Sequence, residues 1–319
     1  MKVLLINILF VTLLFVHPQS ELHDMYNMPT SEVIHHYANF ISIDTGTYTN
    51  LQPDGLRTIG YPFILATFMR LPHFIVWMML FNCLLGAWLF HVTFKLIGSK
   101  AWILAGLGAF TAYVPILYTD LLFAAIFVTS IWQIKRLWLH FLLLGLAALV
   151  RPSLAWFFLI EPFVLYFNGY SKKLSLLSLP IVFVLTSFNP IRNKVNIGKW
   201  THSTVLEYNM TSPDYYTGPK YFVKSFKANF LSGHYATIGG VFGKYKRDKG
   251  NKTESILLFY LNIVCVMINL AIWIRFGIRV LQRRVNWGYV IMAAYFVFPT
   301  LFGAAGARLR LPIEWILLI

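Results

Sequence analysis

Long apolar runs separated by short polar interruptions dominate this chain. They cover 3–17, 74–97, 101–117, 121–134, 137–150, 153–168, 174–189, 255–276, 287–304 and 311–319. A helix that crosses a bilayer needs about 20 apolar residues, fewer when it packs inside a bundle. The pattern therefore predicts an all-α integral membrane protein, a polytopic bundle of nine to ten transmembrane spans. The tract 101–150 is almost continuously apolar, and its breaks fall at charges: Asp120, Lys135-Arg136 and Arg151. The run 311–319 is too short to cross alone, which predicts either a chain that continues past it or a fragment. The segment YPFILATFMRLP, 61–72, carries Arg70 between prolines and is too short to stand upright, so an interfacial or re-entrant helix fits it better. No internal repeat divides the chain. The expectation is one membrane domain over 1–319, with two hydrophilic extracytoplasmic loops at 18–60 and 190–254.

Composition supports the same class. The chain is 58% hydrophobic and 12% charged, with a mean hydropathy of +0.63. A soluble domain carries roughly 25% charged residues, so lipid is the better solvent for most of this one. The net charge of +15 does not indicate nucleic acid, because the positives flank apolar runs or lie in one hydrophilic loop. With Lys2 inside, the inner connections hold Lys2, Lys95, Lys100, Lys135, Arg136, Lys172, Lys173, Arg275, Arg279, Arg283 and Arg284. The short outer connections hold Arg151, Arg308 and Arg310. Positive residues favour the cytoplasmic face, and this asymmetry sets the orientation. The apolar stretch after Lys2 lacks a small-residue cleavage site and reads as an uncleaved first helix rather than a signal peptide. Cys83 and Cys265 both lie in apolar runs and read as packing residues, with neither disulfide nor metal role.

Few polar residues lie within or beside the spans. Asp120 and Arg151 each fall at an outer end, Glu161 lies inside an apolar run, and Arg308 and Arg310 precede Glu314. Singly, such residues snorkel to headgroups or pair with one another. As a set biased to one face, they point to a shared cavity for an anion. The first loop offers Asp24, Glu32, His35, His36 and Asp44, and an acid beside a membrane face can act as general base toward an acceptor. The adjacent pair His35-His36 would point apart on a helix, so no metal site is expected. No Gly-rich phosphate loop, Ser/His/Asp order or CxxC pair is present, and no cofactor is called for.

Five segments, in order, carry a resemblance. PDGLRTIGYPFILA (53–66) resembles an Arg-x-Pro-Gly-Tyr-Pro segment, with Ile59 in place of the proline. PILYTDLLFAAIF resembles an acidic outer-end motif, and LLLGLAALVRPSLAWFF an Arg-Pro span. NPIRNKVNIGKWTHST resembles the start of an outer loop, with its Arg192-Asn193 pair. GARLRLPIEWILL resembles a late arginine-rich span. Together they resemble bacterial membrane glycosyltransferases of the GT-C fold, the protein mannosyltransferase-like and aminoarabinose transferase-like group. The resemblance implies an inner-membrane, multi-pass enzyme that moves a sugar from a polyprenyl-phosphate donor to an acceptor at the extracytoplasmic face. It implies a first-loop acid as general base, Asp24 first and Glu32 second. It further implies a substrate and phosphate site drawn from Arg57, Tyr61, Asp120, Arg151, Arg192, Asn193, Arg308 and Arg310. Arginine suits that role because its planar fork makes bidentate, charge-assisted contacts to phosphate.

Two other classes fit the same residues. A transporter or flippase of lipid-linked sugars would use the arginine cavity but requires interrupted helices in related halves, which the sequence does not show. A non-catalytic membrane assembly subunit would pair its buried charges with those of a partner.

Overall fold

A computed structural model describes residues 1–16, 58–114, 119–201, 234, 252–301 and 311–319. Asp24, Glu32, His35, His36, Asp44, Arg57, Arg308 and Arg310 lie outside the described residues. Within them the chain is helical, with no strand. The helices are α1 (Lys2–Val16), α2 (Gly60–Met69), α3 (Phe74–Ile97), α4 (Ala101–Gly106), α5 (Thr119–Trp132), α6 (Leu137–Val150), α7 (Glu161–Phe167), α8 (Lys172–Thr186), α9 (Phe188–Ile197), α10 (Lys252–Leu281), α11 (Trp287–Leu301) and α12 (Glu314–Leu317). Three stretches, Phe74–Gly106, Lys172–Val195 and Ile263–Leu281, are long and apolar enough to cross a membrane. Their outward faces carry large apolar side chains such as Leu84, Phe183, Val184 and Met267. A helix that is apolar on its exposed face as well as its buried one is built for lipid or for the interior of a larger protein.

Side-chain contacts fix how the helices run. Trp88 on α3 donates to Thr129 on α5 at 2.9 Å and stacks edge-on against Trp132, while His91 meets the same Trp132 ring, so α3 and α5 run parallel. The turn at Gln133–Arg136 reverses the chain into α6. Alongside α6, Gly145 faces Leu185 and Ala148 accepts from Asn189, so α6 and α8 are also parallel. Two ends result. One gathers Lys2, the 3₁₀ turn Gly98–Lys100, the α5–α6 turn and residues 168–172 and 282–287. The other gathers residues 58–60, 119–120, 149–153 and 189–193.

Three of the expected spans are not single helices. The run 101–117 is helical only to Gly106. Gly108 then takes φ +84°, and 107–114 continues as buried turns. The run 153–168 is bounded by prolines. Arg151, preceding Pro152, is extended, as a residue before proline prefers. Two short 3₁₀ turns, Pro152–Leu154 and Phe157–Leu159, lead into the seven-residue α7, with Pro162 in its first turn. The run 311–319 is a turn followed by the four-residue α12, buried from 311 to 318. Buried non-helical backbone needs hydrogen-bond partners within the protein. The crossing finds them: Tyr295 on α11 donates to the Ser153 carbonyl at 2.7 Å and accepts from the Trp156 amide at 3.2 Å. Asn286 donates to Phe167 at 2.8 Å, and Tyr170 to Ile134 at 2.8 Å.

α1 docks through the apolar side chains Val3 and Val11 and one buried amide. Asn7 donates to the Phe110 carbonyl at 3.2 Å and to that of Cys83 at 3.4 Å, and accepts from Thr111 at 2.9 Å. This close approach requires Gly86 on α3. A Cβ there would run into the Phe110 carbonyl and sit 2.6 Å from Asn7 Nδ2. Gly86→Ala should therefore destabilise the protein by about 1–3 kcal/mol, the usual range for overpacking. A thermal-unfolding midpoint equal to wild type would refute this contact.

α10 ends in a Schellman turn. The Arg284 amide bonds back to Arg279 and that of Arg283 to Val280, both at 2.9 Å, with Arg283 at φ +54°. Glycine is the usual residue at this left-handed position. Asn286 then accepts from the Gly288 amide at 2.8 Å and caps α11.

Candidate functional site

Four of the segments singled out in the sequence meet at the C-terminal end of α6. Asp120, in the first turn of α5, and Arg151, directly after α6, form an ion pair through Asp120 Oδ1 and an Arg151 terminal nitrogen. The Arg151 side chain is 16% exposed and that of Asp120 3%. The guanidinium also lies 5.8 Å from the centre of the Phe123 ring, within cation–π range. Thr58 donates to the Val150 carbonyl at 2.6 Å, which anchors the segment that leads into α2. Gly60 comes close enough that a Cβ would sit 2.8 Å from the Leu149 oxygen, so the backbone itself forms the contact. Tyr61, one residue on, is buried. From the other side, Asn189 donates to Ala148 at 2.9 Å and holds the first turn of α9 against α6.

α9 presents the pair Arg192-Asn193 on this same end. Asn193 is buried and donates to the Thr201 carbonyl at 2.8 Å, while its own oxygen accepts from Arg192 at 3.2 Å. The fork of Arg192 is thus steadied by its neighbour, as that of Arg151 is by Asp120. The structure places Tyr61, Asp120, Arg151, Arg192 and Asn193 on elements that converge at one end of the bundle. Asp24, Glu32, Arg57, Arg308 and Arg310 are outside the described residues, although Arg57 immediately precedes Thr58. Two guanidinium groups held in place at the end of an apolar bundle can receive an anion with little loss of side-chain freedom.

Two further polar clusters lie deeper. His140 on α6 and Glu161 at the start of α7 are both fully buried, with Nε2 2.7 Å from Oε1. The other ring nitrogen, Nδ1, lies 2.9 Å from the Ser130 carbonyl. A carbonyl can only accept, so Nδ1 carries a hydrogen. The short Nε2–Oε1 contact then also contains a proton, on one partner or the other. Among the described residues, Glu161 Oε2 has no hydrogen-bond partner. The second cluster is a chain of three: the Tyr113 hydroxyl 2.7 Å from His234 Nδ1, and His234 Nε2 2.6 Å from Glu314 Oε2. Glu161 and Glu314 therefore each engage a buried histidine.

The sequence reading missed both histidines. For His140 a signal existed, since a glutamate inside an apolar run needs a buried partner and His140 lies in a neighbouring run. For His234 none did. It falls in the hydrophilic stretch 190–254, expected to be an extracytoplasmic loop, yet it is only 1% exposed and packed between Tyr113 and Glu314. At least that residue of the stretch enters the bundle. No group of three or more His, Cys, Asp or Glu among the described residues is placed to hold a metal ion. Comparison with known proteins yields no matching family model, curated protein or solved structure.

Proposed function

We propose that this chain is a multi-pass membrane glycosyltransferase of the GT-C type, located in the plasma membrane. It transfers a sugar from a polyprenyl-phosphate donor to an acceptor at the end of the bundle where α6 terminates. The observation that carries the reading is the convergence there of four segments far apart in sequence, at Thr58–Tyr61, Asp120, Arg151 and Arg192-Asn193. All eleven cations assigned to the inner face lie on elements that reach the opposite end, which supports reading the α6 terminus as extracytoplasmic under the positive-inside rule. A lipid-linked donor would enter sideways from the bilayer. Its phosphate would be held by Arg151 and Arg192, with Arg57, Arg308 and Arg310 completing the site. Stabilising negative charge as the sugar–phosphate bond breaks gives the rate gain. Asp24, or else Glu32, would remove the acceptor proton.

The test is sugar transfer by purified protein from synthetic polyprenyl-phosphate sugars. Asp24→Asn is expected to abolish turnover while leaving donor binding intact, with Glu32→Gln nearly neutral. Full turnover in both variants would eliminate the base assignment. A second reading, a transporter of lipid-linked sugars, gains support from the interrupted crossing 151–160 and the buried turns 107–114, the irregularity such a mechanism requires. Movement of donor across vesicles without transfer would favour it.

A further inference from the structure

The end of the bundle opposite the α6 terminus holds a cluster of positive charge, and the paired acids Asp120, Glu161 and Glu314 lie against other partners. Lys100, in the 3₁₀ turn before α4, and Arg275 and Arg279, on the last turns of α10, are each half-buried. One turn apart, the two arginines share a face of α10, and α10 and α4 both pack against α12. Lys100 also donates to the carbonyls of Leu318 at 2.9 Å and Ile319 at 3.4 Å, which ties the cluster to the segment that carries α12. Three like charges drawn together and partly desolvated repel one another. The acids of the described residues are placed elsewhere. Asp120 meets Arg151, Glu161 meets His140, and Glu314 meets His234. Glu254 lies at the far end of α10, roughly 30–40 Å away at about 1.5 Å per residue. A second observation shows an unfilled donor: Arg279 Nε is buried and has no acceptor among the described residues, although its Nη2 reaches the Arg284 carbonyl at 3.5 Å.

The geometry points to a phosphate-binding site formed by Lys100, Arg275 and Arg279, suited to the headgroup phosphate of an anionic phospholipid in the leaflet facing this end. One phosphate there would meet two forks and an ammonium at once and would supply the missing acceptor for Arg279 Nε. General snorkelling of basic residues would favour anionic lipid without selecting these three. A built site makes the three residues decisive and leaves the exposed Lys172-Lys173 pair at the same end without effect.

The experiment uses the full chain in detergent and follows its unfolding midpoint and retained lipid by native mass spectrometry. The probes are phosphatidylglycerol, phosphatidylcholine and inorganic phosphate. Phosphatidylglycerol should raise the midpoint and remain bound, and phosphatidylcholine should do neither. The triple variant Lys100→Gln, Arg275→Gln, Arg279→Gln should bind phosphatidylglycerol at least about 10-fold more weakly, given the usual strength of hydrogen bonds to charged groups. Lys172→Gln with Lys173→Gln should bind as wild type does. If the triple variant does not fold, Arg279→Gln alone gives the same comparison. A wild-type response to inorganic phosphate equal to that with phosphatidylglycerol would keep the site and assign it to free phosphate. Equal binding by the wild type and the cluster variants, or no response to either anion, would overturn the site.

Discussion

His140→Ala is expected to destabilise the protein by about 3–5 kcal/mol, the combined cost of a cavity in the core and a buried carboxyl group left without its hydrogen-bond partner. Both side chains are fully buried, and their 2.7 Å contact is the hydrogen bond the structure gives to the Glu161 carboxyl group. Removing the imidazole leaves both carboxyl oxygens without a donor in an apolar interior, and the Ser130 carbonyl loses its partner as well. Glu161→Gln introduced alongside His140→Ala should recover part of the loss, because a neutral amide is cheaper to bury than a carboxyl group. Chemical unfolding of the two single variants and the double would measure the coupling. A His140→Ala variant as stable as wild type would mean that the pair is not formed.

Arg151→Ala should lower sugar transfer by about 10²–10³-fold, the usual loss when one stabilising donor is taken from a developing anion. Arg151→Lys should restore little. An ammonium cannot bridge Asp120 and a phosphate with the planar fork that Arg151 offers. Asp120→Asn should cost less and act mainly on kcat, since Asp120 is paired with the Arg151 guanidinium. Stability separates these effects from misfolding. The pair sits at the end of the bundle with Arg151 partly exposed, so its loss should shift unfolding far less than the loss of His140 does. Wild-type turnover in Arg151→Ala would remove this residue from the phosphate site.

Much of the helical framework is written in the apolar runs and their charged breaks. Phe74–Ile97 and Leu137–Val150 match the runs bounded by Lys100, Lys135-Arg136 and Arg151, and α5, α8, α10 and α11 begin within about three residues of the expected positions. Where an apolar run is not a helix, apolarity itself conceals the fact. Residues 107–114 are as hydrophobic as any span, and only Gly106 and Gly108 mark the break. Residues 152–160 are interrupted because Pro152 and Pro162 restrict the backbone at both ends. The ends where Asp120 and Arg151 fall can be counted from the topology, and their approach follows from Asp120 opening α5 and Arg151 directly following α6. The pairing of Glu161 with His140 depends on helix rotation, which the near-uniform apolarity of α6 does not encode. His234 depends on a chain path through a hydrophilic stretch, to which hydropathy is blind.

The irregular crossing between α6 and α7 bears on how the protein enters the bilayer. Its Ser153 carbonyl and Trp156 amide are both served by Tyr295, about 140 residues later in synthesis. Until α11 has been made, those groups have no place in hydrocarbon, where each unmet one costs several kcal/mol. In a protein inserted as proposed above, the segment would wait at the translocon or in the headgroup layer until the hairpin before it and the helix after it close from both sides. On that reading, insertion is not a simple threading of one span after another. A middle piece enters late, drawn in by residues translated long after it.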